Sequence, residues 1–149
     1  MYRRKQEIVE VFLVHPGGPY WAKKDDGSWS VPKGEFTDEE DALTAAQREF
    51  EEETGFSVSG KFIPLKPIKQ KSGKLIYAWL LEGDIDHLKI KSNLFESEWP
   101  PHSGKKQSFA EIDRGEWFEI EQAKEKIIPG QVGFLEELIQ LRLELSGEC

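Results

Sequence analysis

From residue 8 to 14 the chain runs Ile-Val-Glu-Val-Phe-Leu-Val, β-branched and aromatic with one polar break at Glu10, and predicts a strand. Pro16, Gly17 and Gly18 end it, and Asp25-Asp26-Gly27 predicts a turn before a short extended piece at 29–31, closed by Pro32. Thr37 followed by Glu40 is a capping box that starts a helix at about Asp38, and Gly55 is a natural left-handed stop. Residues 61–69, with Pro64 and Pro67, predict an edge or irregular strand. Residues 74–82 predict a stronger one through Leu75, Ile76, Trp79, Leu80 and Leu81. The stretch 92–108 reads as a loop because of Pro100, Pro101 and Gly104, and 116–120 reads as a last strand. A short helix is expected at 122–127. After Pro129-Gly130, Phe134, Leu138, Leu141 and Leu145 fall on one helical stripe, the pattern of a packing helix. Interspersed strands and helices imply an α/β or α+β domain with a mixed sheet.

Composition narrows the partners more than the fold. The chain has 149 residues, enough for one domain (1–149) with a sizeable core. Its formal net charge of −8 argues against general attraction to duplex nucleic acid or an anionic membrane. A phosphorylated small molecule stays open as a ligand if a metal supplies positive charge. The single cysteine, Cys149, excludes an internal disulfide and fits a reducing, cytoplasmic compartment. The basic start MYRRKQ is followed by an apolar run broken at Glu10 with no small-residue cleavage site, so no targeting segment is expected.

The chemistry concentrates in residues 34–56, GEFTDEEDALTAAQREFEEETGF. On a helical wheel Ala42, Leu43, Ala46 and Phe50 share the side expected to pack, while Thr44, Gln47 and Glu51 point to water. Glu49, Glu52 and Glu53 stand at i, i+3 and i+4 and converge on a flank beside the apolar stripe. Glutamates that only solubilise would sit opposite the stripe, as Glu51 does. Carboxylates crowded at the edge of a buried face repel one another and lose water, a conflict that a hard cation relieves. Oxygen-only ligands select Mg²⁺ or Mn²⁺ over zinc. Arg48 and Glu40 are placed to buffer the charge, with Arg48 orienting Glu49; the alternative for Arg48 is an ordinary surface ion pair.

The set Gly34, Glu40, Arg48, Glu49, Phe50, Glu52, Glu53, Gly55 and Phe56 resembles the Nudix box without a mismatch, a coincidence well below about one in 10⁴ by composition. The resemblance implies an α/β/α sandwich, with the box as a loop–helix–loop against a mixed sheet. It implies that Glu49, Glu52 and Glu53 hold Mg²⁺ (Mn²⁺ possible), helped by a backbone carbonyl at Lys33 or Gly34. A water so activated would attack phosphorus in a diphosphate linkage. The base varies among relatives. Glu111, six residues before Trp117, matches the placement of a functional glutamate in MutT-like members and is expected to be the base or an extra metal ligand, with Glu53 close behind and Glu96 and Glu98 weaker candidates. Its alternative is a plain loop residue.

Pro32-Lys33-Gly34 resembles the loop of diadenosine polyphosphate and inositol-pyrophosphate hydrolases, where Lys33 would offer a charge to phosphate. Trp21, Trp29, Tyr77 and Trp99 are candidates to stack on a base, Trp29 and Tyr77 foremost, against the alternative of core packing. His15, His87 and His102 lack zinc-like spacing and receive no role. Relatives usually carry an apolar strand of about eight residues ahead of the position of Tyr2-Arg3-Arg4, which implies a shortened start or an incomplete sheet edge here. The expected substrate is a dinucleoside polyphosphate or nucleoside triphosphate, then ADP-ribose or a nucleotide sugar, acted on by a monomer or homodimer. The rival is a non-catalytic Nudix domain that senses a nucleotide and regulates a partner. Such domains commonly lose a box carboxylate, and this chain has them all.

Overall fold

The computed structural model describes residues 1–6, 8–32, 41–69, 73 and 75–146, the last five of these by backbone alone. Its centre is an antiparallel sheet in the order β1 (Tyr2–Lys5), β2 (Ile8–Pro16), β9 (Ile112–Glu119). Successive side chains of a strand point to opposite faces, and β2 uses both. Val9, Val11 and Leu13 enter a core with Phe118, Ile127, Phe134, Leu135 and Leu138. Phe12 and Val14 enter a second core with Phe50, Ile112 and Trp117. The first face is covered by α2 (Ile120–Lys126) and α3 (Val132–Ser146), the second by α1 (Ala42–Thr54). This is the three-layer α/β/α arrangement that the resemblance implied. Phe12, 1% exposed, has its ring 6.1 Å from Phe50 and 5.5 Å from Trp117, and so ties helix to sheet. Truncating such a residue to Ala costs about 3–5 kcal/mol.

The remaining ladders are short antiparallel pairs. They are β3 (Ile63–Pro64) with β6 (Trp79–Leu80), β4 (Ile68–Lys69) with β5 (Leu75–Ile76), and β7 (Leu94–Glu98) with β8 (Lys106–Ala110). Parallel pairing enters through the bridges Tyr2↔Glu82 and Trp29↔Ile127, which makes the β structure mixed. Among the described residues no helix is long and apolar enough to cross a membrane.

Four local expectations change. The run 74–82 is divided between two strands, because Leu75–Ile76 pairs with β4 while Trp79–Leu80 pairs with β3. The segment 92–108 is a hairpin rather than a loop: Pro100 and Pro101 lie between the strands, and His102 (φ 62°) and Gly104 (φ 73°) turn the chain. The described helix begins at Ala42, not near Asp38. Asp41 is extended and caps it, accepting from the Thr44 amide at 2.9 Å and the Thr44 hydroxyl at 2.6 Å. The expected Thr37–Glu40 capping box lies outside the described residues. Gln47, expected to face water, is half-buried and lines an apolar cavity of ≈ 100 Å³ with Phe50 and Tyr77.

The expected stops and stripes otherwise hold. Gly55 ends α1 at φ 81°, its amide donating to the Glu51 carbonyl at 2.7 Å. A Cβ there would sit 3.2 Å from the Lys91 carbonyl oxygen, so glycine serves both conformation and close approach. On α3, Phe134 and Leu138 are buried and Leu141 packs beside them, while the side chain of Leu145 lies outside the described residues.

Candidate active site

The last two turns of α1 supply the carboxylates. Phe50 points into the core, and that orientation leaves Glu49 and Glu52 on the helix edge with Arg48 between them. Arg48 Nη1 lies 2.9 Å from Glu49 Oε1 and 3.2 Å from Glu52 Oε1. The Glu49 side chain is 13% exposed. Burial pushes its carboxyl above the ordinary value, the hydrogen bond from Arg48 opposes this, and the charges of Glu52 and Glu111 push it further up. Glu53 is buried beside Thr54. Glu49 and Glu52 thus lie beside the packed face, while Glu53 is buried within it.

Main-chain hydrogen bonds bring Glu111 to this edge. The Asn93 amide donates to the Glu52 carbonyl at 2.8 Å, and the Asn93 carbonyl accepts the Glu111 amide at 2.9 Å. On the other side of Glu111, its carbonyl accepts the Gly17 amide at 2.8 Å. Lys91 N–H to the Thr54 carbonyl (2.8 Å) and Ile112 N–H to Ser92 Oγ (3.0 Å) fix the same crossing. The segment 91–93 thus stitches the C-terminal turn of α1 to the start of β9. Reading 92–108 as a loop hid this role of Asn93, because main-chain bridging leaves no mark on side-chain pattern.

An oxygen-only donor set of desolvated, mutually repelling carboxylates suits a hard divalent cation in kind. Among the described residues, no group of three or more His, Cys, Asp or Glu is gathered at ligating geometry. Lys33 and Gly34, expected to contribute a carbonyl and a phosphate contact, lie outside the described residues, as does Glu40.

The expected aromatic residues separate. Trp29 is 1% exposed; its Nε1 donates to Asp25 Oδ1 at 2.8 Å and its ring packs edge-on against Phe118 at 5.0 Å. It is a core residue, and its expected role in stacking on substrate is corrected, since no ring face is open. Tyr77 is 40% exposed but lines the apolar cavity beside Gln47 and Phe50, apart from the lining that contains Glu111. Trp21 and Trp99 do share a cleft with Glu111. His15, given no role from sequence, is fully buried, with Nδ1 2.9 Å from Asp113 Oδ1 and Nε2 2.6 Å from the Lys24 carbonyl. It ties the loop after β2 to β9, and only the fold reveals that tie.

Comparison with known proteins agrees with this architecture. The NUDIX domain family matches residues 1–138. No curated protein matches. The Ap4A hydrolase of C. elegans in a binary complex is similar in fold, with TM-score 0.65 and 20% identity over 98% of this chain and 94% of that one. The NUDIX domain of Shewanella oneidensis NrtR complexed with ADP ribose gives TM-score 0.62 and 13% identity over 95% and 82%. The E. coli ORF135 protein gives 0.56 and 20% over 95% and 86%. With a family match across nearly the whole chain and the complete box in its sequence, the chain belongs to the Nudix hydrolase family.

Proposed function

We propose that this protein hydrolyses a diphosphate linkage in a nucleoside diphosphate derivative, with Mg²⁺ or Mn²⁺ as cofactor. The observation that carries the reading is the position of Glu111, coupled by Asn93 to the helix turn that bears Glu49 and Glu52. Such a cation, when bound, supplies charge neutralisation to the phosphates and lowers the pKa of water. Glu49, Glu52 and Glu53 would hold it, Arg48 would fix the orientation of Glu49 and Glu52, and a Glu111 carboxylate oxygen would take the proton of the attacking water. Proximity of a carboxylate base to the metal-holding turn suits general-base catalysis, which contributes about 10²–10⁴-fold. The net charge of −8 is consistent with this, because the cation and not the protein surface attracts the anion.

For the substrate, dinucleoside polyphosphates or nucleoside triphosphates rank first, and ADP-ribose or nucleotide sugars next. The fold neighbours named for Ap4A hydrolysis and for a complex with ADP ribose support that range. A panel of these nucleotides with Mg²⁺, followed by chromatography of products, tests the reading in wild type and Glu53→Gln. Cleavage by wild type and its loss in the variant are expected. Tight binding without turnover would instead favour a nucleotide sensor, and full activity in Glu53→Gln would remove Glu53 from the metal set.

A further inference from the structure

An open cleft of ≈ 670 Å³ begins at Glu111 and runs outward between the loop after β2 and the β7–β8 hairpin. Its walls carry an unusual density of aromatic rings. Tyr20 is 66% exposed and Trp99 is 36% exposed, while Trp21 and Phe95 are half-buried. On β7 the two-residue period of a strand puts Phe95 and Ser97 on one face, Trp99 follows directly after the strand's end, and all three line the cleft. Apolar rings left open to water at a site's edge are costly unless a ligand covers them.

The opposite wall exists because of two glycines. A Cβ on Gly17 would lie 1.9 Å from the Ala110 carbonyl oxygen, and one on Gly18 (φ 95°) would lie 3.0 Å from Phe95 Cζ. Only their absence lets the loop lie down on the hairpin. The far end of the loop is held by His15 through the Lys24 carbonyl. Lys24 Nζ sits 3.9 Å above the Tyr20 ring and 4.9 Å from Trp21, whose rings meet edge-on at 5.1 Å. The aromatic loop is therefore braced at both ends before any ligand arrives, which lowers the ordering cost of binding.

We infer that this cleft is the nucleobase subsite, with Trp99 and Tyr20 as stacking residues for the base attached to the diphosphate cleaved beside Glu111. This rests on the hydrolase reading for its direction, since Glu111 is common to the cleft and the carboxylate edge. It replaces Trp29 and Tyr77 as stacking residues. The chemistry selects a planar heteroaromatic ring: flat π-faces accept any base, and base–aromatic stacking carries little sequence or atom-specific demand. A polyol phosphate offers no such face, so the subsite favours nucleotides over inositol pyrophosphates.

The test separates base recognition from catalysis. Binding of AMP, which has no diphosphate linkage to hydrolyse, is measured with Mg²⁺ by calorimetry, and inorganic phosphate serves as the base-free control. Trp99→Ala is expected to weaken AMP about 5- to 100-fold, the range of one lost stacking contact, and to leave phosphate unchanged. Trp99→Phe keeps most of the affinity. On a base-bearing substrate the Ala variant raises KM and preserves kcat. If Trp99→Ala fails to fold, Tyr20→Ala, at a mostly exposed ring, gives the same readout. Wild-type AMP affinity in both Ala variants, or equal loss of AMP and phosphate, overturns the subsite. Loss of AMP binding together with no hydrolysis by wild type leaves the subsite standing and removes the enzyme reading.

Discussion

Gly17 donates its amide to the carbonyl of Glu111 at 2.8 Å while its missing side chain leaves room for the Ala110 carbonyl. One residue thus sets the height of the loop over β8 and fixes the backbone of the candidate base. Gly17→Ala forces main chain against main chain, a clash that no rotamer change relieves. A loss of about 1–3 kcal/mol in urea unfolding is expected, with a fall in kcat larger than the stability loss explains at temperatures where the variant stays folded. Unchanged stability would mean that loop and hairpin are not in fact packed this closely.

Glu111→Gln keeps the shape and hydrogen-bonding reach of the side chain but cannot accept the proton from water. The expected outcome is a drop in kcat of about 10²–10⁴-fold with KM little changed. A variant as fast as wild type would move the base elsewhere, with Glu53, Glu96 and Glu98 next to test.

Arg48 bridges Glu49 and Glu52 through one guanidinium nitrogen. Arg48→Ala leaves these carboxylates to repel each other and to drift from a common orientation, and activity should fall about 10–100-fold, as for groups that orient metal ligands. Arg48→Lys keeps the charge and should recover part of the loss. A Mg²⁺ titration of activity distinguishes this from a surface ion pair, whose removal would leave the metal dependence untouched.

Trp29 separates a core role from a binding role. Trp29→Phe removes the hydrogen bond to Asp25 and some ring volume, and it should lower thermal stability while leaving KM for nucleotide unchanged. A selective rise in KM at constant stability would restore Trp29 to the substrate site.

Asp25 accepts from Lys126 at 2.7 Å and from Trp29 at 2.8 Å. The Lys126 hydrogen bond, then that of Trp29, holds its carboxyl below the ordinary value of 3.8. A carboxyl lowered by folding stabilises the native state above its unfolded value, and that contribution is lost as pH falls through the lowered folded value. The side chain is 54% exposed, so screening limits the gain to about 0.2–1 kcal/mol. Asp25→Asn should therefore melt roughly 1–4 °C lower near neutral pH, and the gap should close in acid below 3.8. A gap that persists in acid would assign the effect to geometry rather than charge.

The reaction family was legible in residues 34–56, and so were the candidate carboxylates that lie on one helix. Helical spacing alone puts Glu49 and Glu52 at the edge of the face that Phe50 buries and Glu53 inside it, because their relative positions depend only on local geometry. A β-branched and aromatic run likewise identified β2, and helical spacing identified the stripe of α3. Tertiary structure decided what local rules cannot reach. Glu111 stands 59 residues after Glu52 in the chain, and its approach depends on main-chain hydrogen bonds through Asn93 and Gly17. Peptide groups occur at every position, so such bridges carry no residue signature. The same limit governed the aromatics: Trp29 and Trp99 look alike in the chain, and only packing puts one under Phe118 and leaves the other open beside Glu111. The strand content of 92–108 was hidden for a related reason. A hairpin exposed along most of β8 needs little apolar alternation, and its prolines lie in the turn where they cost the ladder nothing.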